Sequence, residues 1–147
     1  FLEAYGVFDC FVRDLDLGQL TPCQYELTYV NVIPMGEGWE GWSQAGRVLS
    51  VCSSCGRKTY LPEPESFRWQ NVYPMPEAKA RLYVMAQSAV RKSDERDAIR
   101  LELTARGFDA ETDTIREWFD VAHKGLVRGF ADIATPEIQE KTWGRKT

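Results

Sequence analysis

Apolar residues recur at Ile115, Trp118, Phe119, Ala122, Leu126, Phe130 and Ile133. These steps of three and four draw one continuous stripe along a helix from Thr112 to Ile133. A stripe holding two large aromatics needs a broad apolar surface to bury it, and a sheet face supplies one. Four stretches alternate apolar and polar residues as strands do. Cys23 to Ile33 sets Tyr25, Leu27, Tyr29, Asn31 and Ile33 against Gln24, Glu26, Thr28, Val30 and Val32. Phe67 to Tyr73, Ala80 to Val90 and Ala98 to Arg106 repeat the alternation, with Leu82, Val84, Ala86, Ile99, Leu101 and Leu103 on the apolar side. The last three are joined by short polar links around Pro74–Glu77 and Ser93–Arg96, which suit hairpins and hence antiparallel neighbours.

At the N-terminal end, Phe1, Tyr5, Phe8, Val12 and Leu15 share a helical face from Phe1 to Leu17, with Gly18 as a C′ stop and Thr21-Pro22 beyond it. Ser43 is placed to cap a short helix through Val48, Leu49 and Val51. Thr135-Pro136-Glu137 is a helix-start signature, so a final short helix runs to about Trp143, with Gly144 ending it. The order is helix, strand, short helix, three strands, long helix, short helix. It predicts an α+β domain with an antiparallel sheet of about four strands and the long C-terminal helix packed across one face. The mixed face would be wet, or covered by another element.

Composition narrows the function classes. The 147 residues suffice for one domain with a real core. A net charge of −4 opposes non-specific binding to nucleic acid or anionic membranes. No apolar run approaches a membrane span, and no signal peptide is expected, so the expected setting is cytoplasmic with reduced thiols. The sequence opens at Phe1 in an apparent helix and reads as a fragment of a longer chain.

One set of motifs is familiar. Tyr25-Glu26-Leu27-Thr28-Tyr29-Val30-Asn31-Val32-Ile33 is followed by Leu61-Pro62-Glu63-Pro64-Glu65 and by Leu101-x-Leu103-Thr104-Ala105-Arg106-Gly107. Ala122-His123, Val127-Arg128, Phe130, Thr135-Pro136 and Trp143-Gly144-Arg145 close the series. Together they resemble the C-terminal half of a sporadically distributed family of bacterial and archaeal proteins of unknown function. The resemblance implies missing upstream strands and no particular catalytic residue. Cys52 to Lys58 and Ile138-Gln139 depart from the family pattern.

Candidate chemistry is sparse. Cys52-x-x-Cys55 lacks a second ligand pair, since Cys10 and Cys23 are 13 residues apart, so no metal and no cofactor are expected. His123, the single histidine, serves a surface or helix-to-sheet hydrogen bond, or else catalysis with a partner such as Glu26 or Glu102. Glu26, Arg68, Gln87, Arg100, Glu102 and Arg106 share the mixed sheet face. They form a polar ligand cavity or a solvated face laced with ion pairs. Trp39 and Trp42 sit in a Gly-rich loop that is either an exposed recognition loop or a lid on the core. No phosphate-binding, dinucleotide, nucleophile-elbow or zinc-protease motif occurs.

The leading expectation is a non-catalytic binding or assembly domain of a prokaryotic cytosolic protein. Self-association or a protein partner would use Phe1, Tyr5, Phe8, Trp39 and Trp42. Two alternatives stand beside it: an enzyme of unrecognised type with a polar site on the sheet face, and a nucleic-acid binder directing Arg68, Arg100 and Arg106 to phosphate.

Overall fold

The computed structural model describes residues 2–18, 20, 22–52, 60–108 and 115–144, without the side chains of Leu2 and Phe108. Phe1, Cys55 and the expected helix start at Thr112 lie outside these residues.

Alternation becomes a four-stranded antiparallel sheet. Its strands are β1 (Gln24–Pro34), β2 (Arg68–Met75), β3 (Ala80–Arg91) and β4 (Arg96–Phe108), in the order β1-β4-β3-β2. Both expected hairpins form, β2–β3 and β3–β4. The fourth neighbour is set by a return of the chain: β1 lies against β4 in a register of one-to-one pairs from Gln24↔Phe108 to Pro34↔Ala98. β1 and β2 are therefore the two edges.

Helix α2 (Ile115–Ile133) lays its stripe on the apolar face. Trp118, Ala122, Leu126 and Ile133 are buried among Leu82, Val84, Ile99, Leu101 and Leu103. Two features hold α2 close to the sheet. The Trp118 indole donates to the Ala78 carbonyl at 3.0 Å. Gly125 and Gly129 leave room where a β-carbon would come within 2.3 Å of Met75 and 3.1 Å of Leu82.

Helix α3 (Pro136–Lys141) starts as expected. The Thr135 hydroxyl accepts from the Ile138 N–H, and Pro136 follows it. Gln139 is buried because its amide Nε2 donates to the carbonyls of Ala131 and Ala134, each at 2.8 Å.

Three expectations are corrected. The short helix after Ser43 is instead two 3-10 turns, Trp42–Arg47 and Ser50–Cys52. One orphan N–H at its start, that of Ser43, is met by the Glu63 carboxylate, which also accepts from the Ser43 hydroxyl. A side chain at Gly41 would collide with that carboxylate at 2.2 Å. Helix α1 (Leu2–Asp14) ends on Asp16, not Gly18. Asp16 has φ +53°, and the bonds Leu17 N–H to Val12 O and Asp16 N–H to Arg13 O complete a Schellman cap around it. The third correction concerns Trp39 and Trp42. They are not an exposed contact surface: both are buried, with ring centroids 5.2 Å apart and Trp42 resting on Phe67. The loop is a lid on the core.

The face expected on α1 is mostly outside the core. Val12 is buried, whereas Phe8 and Phe11 are each 53% exposed and stack on one another. Tyr5 is half-buried.

Candidate functional site

The strand register brings the six polar candidates onto one face. Glu26 lies opposite Arg106, Arg100 opposite Gln87, and Gln87 opposite Arg68, while Glu102 follows Arg100 two residues along β4. Their charges are used locally. The Arg106 guanidinium gives two nitrogens to one Glu26 oxygen, both at 2.7 Å, and sits 5.2 Å from the Tyr83 ring centroid. Arg100 pairs with Glu102, and Arg68 donates to the Met85 sulfur at 3.5 Å. Thr28 and Thr104 join hydroxyls across β1 and β4 at 2.9 Å. This is the geometry of a solvated face with ion pairs. Half-exposed pairs of this kind contribute about 0–1 kcal/mol each.

The opposite face holds the one histidine. The Tyr29 hydroxyl on β1 hydrogen-bonds to His123 Nδ1 on α2, the helix-to-sheet contact foreseen for it. Beside this pair, Glu3, Glu26, Leu27, Arg116, Phe119 and Asp120 rim an open depression of about 740 Å3 where α1, β1 and α2 meet. Glu26 and His123 border it together, but Glu26 is engaged by Arg106. Nearby, the Tyr25 ring packs 5.3 Å from Trp118. Burial, with the neighbouring Tyr5, pushes the Tyr25 phenol above its ordinary pKa.

Further depressions flank α2. One, of about 390 Å3, is lined by Val51, Tyr73, Met75, Leu82, Gly129 and Ile133, with Arg128 and Asp132 at its rim. Another, of about 460 Å3, runs along the outer half of β1, between Val30–Ile33, Glu37 and the Phe130–Trp143 stack.

Apolar side chains are exposed at several places, among them Val72 and Tyr73 on β2, Val90 on β3 and Val127 on α2. Val7, Phe8, Phe11 and Leu15 are exposed on and just after α1, and Val30 and Val32 are exposed on β1. Sequence reasoning named Phe8 and Leu15 on this helix but not Val7, and it missed the β1 edge. Val30 and Val32 read as ordinary members of a mixed face, and nothing local places β1 at the end of the sheet.

Cys10 and Cys23 are exposed and Cys52 is buried; the Cys52–Cys55 pair falls partly outside the described residues. Among the described residues no group of three His, Cys, Asp or Glu side chains is placed to hold a metal. No described helix is long and apolar enough to cross a membrane. No family model, curated protein or solved structure matches this chain.

Proposed function

We propose that this chain is a non-catalytic binding or assembly domain, part of a prokaryotic cytosolic protein, and that it self-associates. The observation that carries the reading is the distribution of apolar surface. The core under α2 is closed, and four charges of the open face pair with one another, Arg106 with Glu26 and Arg100 with Glu102. Meanwhile Phe8, Phe11, Val30 and Val32 leave about half of their surface in water. Uncovered apolar surface gains roughly 25 cal/mol per Å2 when it is removed from solvent, and a patch that meets its own copy closes into a two-fold dimer. The resemblance to the C-terminal half of a longer prokaryotic family belongs to the same reading: a module of a larger chain meets its neighbours through such surfaces.

The test is the mass in solution across a concentration series, by light scattering. The reading expects a rise above 16.8 kDa toward twice that mass. A single mass of 16.8 kDa at every concentration contradicts it.

A further inference from the structure

We propose that the outer edge of β1, from Tyr29 to Ile33, pairs antiparallel with the same segment of a second copy, joining two sheets into one of eight strands. The proposal rests on the assembly reading above and specifies its surface, partner and register.

The backbone chemistry comes first. β1 is hydrogen-bonded to β4 along one side, and among the described residues the sheet ends there. A strand edge presents a row of N–H and C=O groups whose natural complement is another extended backbone. Folded proteins block such edges with lysine, proline, bulges or covering elements. The segment Tyr29–Ile33 has none of the first three: no lysine, no proline, and an unbroken register with β4. The opposite edge is treated differently. β2 is shorter, at eight residues against eleven, carries Arg68, and has Pro74, which has no N–H to offer, inside its pairing, whereas the proline of β1, Pro34, stands at its last position. The inner end of β1 is also flanked, since Glu3 of α1 shares a depression with Glu26 and Leu27. That leaves the Tyr29–Ile33 half.

The side chains then select a second copy as the occupant. A two-fold axis perpendicular to the sheet at Asn31 sets Asn31 opposite the partner's Asn31, and keeps both faces of the sheet in line. Val30 falls opposite the partner's Val32, and Val32 opposite the partner's Val30, so the four exposed valines meet on the open face. Within each chain Val30 is in register with Glu102, and Val32 with Arg100. The rows that join across the axis therefore run Glu102–Val30 into the partner's Val32–Arg100, with opposite charges behind the valines. On the helix side, Ile33 meets the partner's Tyr29, which stays on its own His123, and the depression of about 460 Å3 beside the Phe130–Trp143 stack lies along this seam.

Sedimentation of three proteins tests the proposal: the unmodified chain, Val30→Lys/Val32→Lys, and Phe8→Ser/Phe11→Ser. The expected result is a dimer whose dissociation constant rises about tenfold or more in the lysine variant and is unchanged in the α1 variant. Circular dichroism confirms that each is folded. A dimer lost only in the α1 variant overturns the β1 edge and leaves the assembly reading standing; absence of any dimer overturns both. A second measurement decides even if the lysine variant does not fold. In a Cys10→Ser/Cys23→Ser/Cys55→Ser background, an added thiol oxidant such as diamide should take two electrons and two protons from a pair of Asn31→Cys thiols to give a covalent dimer, because paired strands bring these positions within disulfide reach. Thr28→Cys, about 20 Å from its copy in this register, should not. Equal cross-linking of the two, or none from Asn31→Cys, overturns the register.

Discussion

The indole nitrogen of Trp118 occupies the place where a β-carbon on Gly107 would come within 2.6 Å of it. The ring is held there by its bond to the Ala78 carbonyl, so it has no easy retreat. This contact anchors the first turns of α2 to the end of β4. Trp118→Ala should cost roughly 3–5 kcal/mol through lost burial and the cavity left behind. Gly107→Ala should cost about 1–3 kcal/mol by overpacking. Chemical denaturation measures both, and wild-type midpoints would show that α2 does not depend on this contact.

Thr135 does two jobs. Its hydroxyl donates to the Arg47 carbonyl and accepts from the Ile138 N–H, tying the 3-10 segment to the start of α3. The adjacent bond from Thr135 N–H to the Val48 carbonyl, at 2.8 Å, survives substitution. Thr135→Ala should therefore cost about 1–2 kcal/mol, with Thr135→Ser recovering most of it. An alanine variant as stable as the serine one would remove the cap from the account.

Much of this architecture is legible in sequence because it is local. The alternation of Leu82, Val84 and Ala86 names both the strand and the face it buries, and short polar links force β2, β3 and β4 into hairpins. The Trp118–Ile133 stripe likewise declares its partner to be a sheet. What escapes depends on long-range contacts. Glu63 replaces a capping residue 20 positions away at Ser43, and β1 finds β4 across more than 60 residues. Trp39 and Trp42 have the composition of a recognition loop, yet Phe67 and the core give them a buried place. The six polar candidates were correctly assigned to one face. Their mutual pairing followed only once the register set Glu26 against Arg106.

That pairing has a measurable size. A double-mutant cycle on Glu26→Gln and Arg106→Gln should give a coupling of about 0.2–1 kcal/mol, reduced by added salt. A coupling of several kcal/mol would mean that the face is desolvated, and would revive a ligand cavity there.

The β3–β4 turn predicts a pH dependence. Asp94 accepts from Arg91, and also bonds Arg96 through side chain and backbone, which holds its carboxyl well below the usual carboxylate range. Because the folded pKa is depressed, the stability Asp94 adds is fully present above its unfolded value. It fades as the pH falls through the folded one. The melting temperature difference between wild type and Asp94→Asn should be constant from about pH 5 to 8 and vanish only in strong acid. A difference that disappears near neutrality would contradict this assignment.

The claim that the free edge of β1 is where this domain meets its own copy is tested most directly by amide hydrogen exchange at low and high protein concentration. The outward amides of Tyr29–Ile33 should exchange more slowly at high concentration, while those of the other edge, Arg68–Met75, stay unchanged. Slowing confined to Leu2–Asp14 or to β2, or no change with concentration anywhere, would contradict it.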